Sequence, residues 1–83
     1  MTRVRRTELV IPAMNRPRRL RRIERSLAAV RGVVRVEPGA EPRRIVVIHE
    51  LADELPLVAV LAGLGYRARG VTVADEVASE RAR

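Results

Sequence analysis

The chain has no cysteine, tryptophan, phenylalanine or lysine, and among its 83 residues Tyr66 is the sole large aromatic and His49 the sole histidine. Without cysteine there are no disulfides, no thiolate metal ligands and no thiol nucleophiles, and the expected setting is a reducing, cytoplasmic one. Without lysine a Walker-type phosphate loop is impossible. With a single aromatic there is no row of rings for stacking bases, as RNA-recognition sheets require. The longest apolar run, residues 55–65, has 11 members, against the roughly 20 needed to cross a bilayer. The run at 9–14 is shorter still and is broken by Pro12, so neither a membrane span nor a secretory core is expected. Ser26 and Ser79 are distant from His49 in sequence, which leaves no nucleophile and base pair, and no enzyme is expected. His49 and Asp53, four apart, straddle the end of one element and the start of another; a surface histidine and a helix cap are the plain reading.

What is present is arginine. All 17 basic residues are Arg, and residues 1–44 hold 13 of them against four glutamates, whereas residues 45–83 hold four against six acids. The excess fits an arginine-favouring coding bias or a demand for planar, bidentate guanidinium contacts. A basic first half suits an acidic protein surface, nucleic acid or anionic lipid, by an attraction that salt weakens.

The 47% hydrophobic content is ample for one small core built from Val, Leu, Ile and Ala. Residues 1–7 read as a basic arm, 8–73 as one domain, and 74–83 as a tail, either a frayed helix or disordered. Within the domain, 8–12 alternates as a strand. Pro17 then suits the first position of a helix, with Asn15 or Arg16 at its cap. Leu20, Ile23, Leu27 and Val30 recur at steps of three and four, which makes one side of that helix apolar up to a stop at Gly32. A strand at 33–37 leads to a turn rich in proline and glycine, and the next strand, 43–49, is apolar on both faces and therefore central. Asp53 caps a second helix whose buried side is Leu57, Leu61 and Leu64, ended by Gly63 and Gly65. The last strand is 66–73, with Gly70 at its middle.

The order strand, helix, strand, strand, helix, strand predicts an α+β, ferredoxin-like β-α-β-β-α-β sandwich: a four-stranded antiparallel sheet with two helices on one face. Leu9, Ile11, Val36, Ile45 and Val47 then face the helices. Val10, Val34, Val46 and Ile48 face out as an apolar patch of the kind that marks a partner surface.

Several of these residues together resemble the heavy-metal-associated domains of copper chaperones and of the N-terminal regions of metal-pumping ATPases. The likeness is carried by Ile11, Ala13-Met14, the helix pattern Leu20, Ile23 and Leu27, then Gly32-Val33, Val47, Leu61 and Gly65-Tyr66. The resemblance implies the ferredoxin-like fold and a motif of a small residue, Met, a polar residue and Cys-x-x-Cys at the first helix entrance. Met14 and Asn15 match that motif, while Arg16 and Arg19 stand at the two cysteine positions. Guanidinium has no free lone pair and carries fixed positive charge, so neither metal nor other cofactor is expected at this loop.

A helix entrance offers unpaired N–H groups and partial positive charge, and arginines there turn a cation site into an anion site. The alternative is a loop released from metal and filled with solvated arginine. The expected binding residues are Arg16, Arg18 and Arg19, with Arg22 and Arg25 extending the basic face and Met14, Asn15 and Tyr66 supporting the loop. The expected partner is a protein with an acidic patch, or a second copy meeting the uncovered sheet face or its edge strands. A soft-metal carrier and a nonspecific reader of nucleic-acid backbone are the alternatives from other classes.

Overall fold

The computed structural model describes residues 4–13 and 17–74. Its elements run β1 (Arg5–Val10), α1 (Pro17–Ala28), β2 (Val33–Pro38), β3 (Arg44–His49), α2 (Leu55–Gly63) and β4 (Arg69–Ala74). The strands form one sheet in the order β2-β3-β1-β4, antiparallel at every junction, so each helix joins a central strand to an edge strand, α1 linking β1 to β2 and α2 linking β3 to β4, as a ferredoxin-like sandwich requires. β3 is internal, as its doubly apolar sequence demands.

The core lies between the sheet and the helices. Leu9, Ile11, Ile45 and Val47 meet Ile23 and Leu27 of α1 and Leu57 and Leu61 of α2, all fully buried. Burying each such side chain contributes about 1.5–3 kcal/mol. Leu20, Val30 and Val36 pack against this cluster while half-buried.

Several boundaries differ from the sequence reading. β1 begins at Arg5, so Arg5, Arg6 and Thr7 belong to the sheet rather than to the arm; residues 1–3 lie outside the described residues. Arg5 earns its place by donating from Nη1 to the Leu51 carbonyl at 3.0 Å, and Thr7 by a buried hydrogen bond to His49. β4 is Arg69–Ala74 because residues 64–66 close α2 instead: Tyr66 N–H donates to Leu61 O (2.9 Å) and Gly65 N–H to Ala62 O (3.0 Å). That pair of bonds needs a left-handed residue, and Gly65 supplies it with φ of 91°. The N-cap of α2 is Glu54, not Asp53, yet it is Asp53 Oδ1 that accepts from the Leu55 N–H at 2.9 Å. The tail at 75–83 lies outside the described residues.

Gly70 is opposite Leu9 in the β1–β4 pairing, and a Cβ there would lie 2.9 Å from Leu9 Cδ2 and 3.1 Å from Glu54 Cβ. The bare backbone lets the start of α2 settle against the sheet.

The helix-free face departs from the expected apolar patch. Val46 and Ile48 are only 3% and 6% exposed, although no described element covers them. Val46 is flanked by Glu8 and Glu37, and Ile48 by Arg6 and Arg35. Long ionic side chains lay their aliphatic stems over an apolar neighbour while their heads stay in water. The valines left open are Val34 beside the β2 bulge and, on the edge strand β4, Val71 and Val73 at 66% and 51%. Val10 is half-buried.

Candidate functional site

α1 forms because its apolar residues fall on one side and its arginines on the other. Ile23 and Leu27 are fully buried, and Arg18, Arg19, Arg21, Arg22 and Arg25 are all exposed. With about 3.6 residues per turn, Arg18, Arg21, Arg22 and Arg25 share a single stripe. Together with Ser26 they line a shallow recess of about 480 Å³.

Of the expected binding residues, the structure brings Arg18, Arg22 and Arg25 together. Arg19 is exposed but lies outside this recess, turned by roughly 60° from Arg22 toward the buried side. Arg21 belongs to the stripe and is absent from the expected set; its spacing of three from Arg18 and four from Arg25 was the available signal. Met14, Asn15 and Arg16 lie outside the described residues. Tyr66 is half-buried against the core and borders a separate groove with Pro12, not the arginine recess.

The electrostatics of the two sides of the molecule are unequal. On the sheet, Arg35 pairs with Glu37 at 2.5 Å, and Arg44 pairs with Glu8 and, at 3.3 Å, with Glu41. The Glu8 hydrogen bond and the Glu41 charge hold Arg44 still more firmly protonated than usual. Among the described residues, the α1 arginines have no such carboxylate partner. The first turn of α1 contains no acid either. Arg18/Arg22 and Arg21/Arg25 are like-charge pairs at four-residue spacing, each unfavourable by about 0.2–0.5 kcal/mol. Cations at a helix N-terminus also oppose its dipole, by about 0.3–1 kcal/mol. An anion over the recess relieves both.

His49 is not on the surface: it is fully buried. Its Nδ1 accepts from the Leu51 N–H at 3.1 Å, so Nε2 carries the ring proton and donates to Thr7 Oγ1 at 2.6 Å; that hydroxyl shares a further hydrogen bond with the Thr72 hydroxyl at 2.6 Å. The chain of bonds ties β3, β1 and β4 together on the core side. Burial, and then the Arg5 charge, pull the His49 pKa below its ordinary value. With both ring nitrogens engaged inside the sheet, His49 has no lone pair to offer a metal. No group of three or more His, Asp or Glu side chains converges among the described residues.

No protein-family model matches the sequence, and no curated protein sequence matches it. Solved structures do match the fold. The yeast copper transporter domain CCC2A superposes with a TM-score of 0.72 at 15% identity, over 81% of this chain and 94% of that one. Oxidized MerP from Ralstonia metallidurans CH34 gives a TM-score of 0.72 at 21% identity, over 81% and 96%. The heavy-metal-associated domain of a copper chaperone for superoxide dismutase gives 0.70 at 24% identity, over 86% and 70%.

Proposed function

We propose that this chain, which has the heavy-metal-associated domain fold, acts as a non-catalytic module that binds an acidic protein surface through the exposed arginines of α1. The observation that carries this reading is the stripe of Arg18, Arg21, Arg22 and Arg25 on one helix face, without an ion-pair partner among the described residues, whose ion pairs lie on and beside the sheet. Arg19, exposed on α1 beside the stripe, adds to the same charge. Guanidinium forks recognise carboxylates and phosphates bidentately, so the stripe favours an anion with acids spaced along a rod or helix.

Copper binding of the kind named for the structural neighbours is not carried over, because the sequence has no thiolate and puts arginine at both cysteine positions. A second copy meeting the edge strand β4 is the lesser partner reading, supported by exposed Val71 and Val73. The absence of any described helix long and apolar enough to cross a membrane and the lack of cysteine fit a cytoplasmic setting.

The test is titration of the chain with polyglutamate and with a short DNA duplex over a series of salt concentrations. Polyglutamate should bind in a salt-weakened manner, and the triple change Arg18→Glu, Arg22→Glu, Arg25→Glu should weaken it by about tenfold or more. Binding unchanged in the triple variant would refute the helix reading. Tighter binding of DNA, with a log–log salt slope set by the number of phosphates neutralised, would make the protein a backbone reader instead.

A further inference from the structure

A second recess lies away from the arginine stripe, at the end of the sandwich where β1 leaves the sheet and α2 hands over to β4. Val58 and Ala62, four apart on α2, line it with Pro12 and Tyr66, and the exposed Arg67 and Arg69 form its rim. The groove encloses about 720 Å³, within the range of roughly 300–1,000 Å³ typical of small-molecule sites. Its lining is mainly apolar, and among the described residues neither rim arginine has an ion-pair partner. An open apolar trough with two arginines at its edge matches a ligand with an apolar body and a single anionic head.

We infer that this groove binds a small carboxylate amphiphile, its hydrocarbon against Val58, Ala62 and Tyr66 and its head shared by Arg67 and Arg69. A carboxylate accepts two parallel N–H bonds from one guanidinium, which gives the head a fixed orientation that an alcohol cannot reproduce. The groove and the α1 stripe have no residue in common, so this site stands apart from the protein-binding surface.

Tyr66 is the chain's single large aromatic, which makes tyrosine fluorescence a direct readout of the groove. The experiment titrates the full chain with decanoate, 1-decanol and decyltrimethylammonium, all below micelle formation. Decanoate should change the emission saturably, decanol should bind about tenfold more weakly or worse, and the ammonium should not bind. The double variant Arg67→Gln, Arg69→Gln and the groove-filling Ala62→Leu, all at exposed positions, should each weaken decanoate by a similar factor while circular dichroism stays unchanged. Arg18→Gln with Arg22→Gln should leave decanoate binding intact. Equal binding of all three amphiphiles, no saturable change, or full binding by the rim double variant overturns the proposal. Loss of binding in the helix variant also overturns it, by moving the anion to α1, while leaving the helix reading standing. A synthetic peptide alternating leucine and glutamate that perturbs Tyr66 when decanoate does not assigns the groove to a protein partner, and overturns it too.

Discussion

Replacing Thr7 by valine tests the buried hydrogen-bond chain at its middle link. Valine keeps the shape and β-branching of threonine but removes the acceptor that takes the His49 Nε2–H at 2.6 Å. His49 is fully buried, so the orphaned donor has no water to turn to, and the cost should be about 1–3 kcal/mol. Thr72 lies at the outer end of the chain and is half-buried. Thr72→Val leaves only the Thr7 hydroxyl short of one partner, and should cost less, about 0.5–1.5 kcal/mol. The pH dependence follows from the same geometry. The folded protein holds His49 below its ordinary value of 6.5 because burial disfavours the imidazolium. On acidification the unfolded chain therefore takes up this proton first. Stability is complete above about pH 6.5 and falls as pH drops below it, by at most about 1.4 kcal/mol per pH unit, until the folded His49 itself titrates. Urea denaturation followed by far-ultraviolet circular dichroism at a series of pH values measures all three effects. His49→Gln, which keeps one donor and one acceptor, should flatten the step. A Thr7→Val cost under about 0.5 kcal/mol, or stability that rises on acidification through pH 6.5, would refute the chain of bonds as described.

Gly70→Ala should destabilise the fold by about 1–3 kcal/mol, since its Cβ would press on Leu9 at 2.9 Å and Glu54 at 3.1 Å; the midpoint of urea unfolding reads this. Arg43 holds a left-handed backbone with φ of 69° in the turn before β3, so Arg43→Gly should raise stability by up to about 1 kcal/mol, the relief of strain exceeding glycine's added freedom in the unfolded chain. Arg22→Glu turns its repulsion with Arg18 and Arg25 into attraction and should stabilise the ligand-free protein by roughly 0.5 kcal/mol, seen as a higher Tm, while weakening polyglutamate binding. A lower Tm would show that the stripe is not self-repelling.

The sandwich was legible because its core is written in period: Leu9 and Ile11 alternate, Ile23 and Leu27 repeat at four, Leu57 and Leu61 at four, and all six are fully buried. Polar residues with long-range partners were illegible for the same reason. Arg5 and Thr7 carry no apolar pattern, and only the fold brings Leu51, His49 and Thr72 to them. His49 looked like a surface residue because nothing local announces a hydroxyl 42 positions away in the chain. The basic stripe is visible from helical spacing, because Arg18, Arg21, Arg22 and Arg25 fall at steps of three and four. The second groove was not visible, because Pro12, Val58 and Arg67 come from three segments that only the closed sandwich assembles.

The covering of Val46 and Ile48 by Glu8, Glu37, Arg6 and Arg35 amounts to a built-in guard against clumping. A sheet with one bare side ordinarily needs a third layer or a twin to keep its valines from sticking to other molecules. Here Val46 and Ile48 are thatched by side chains the strands already carry, while Val71 and Val73 on β4 stay open. Trimming those four to alanine would leave the helices and their packing untouched, yet should bare Val46 and Ile48 and lower the concentration at which the protein precipitates.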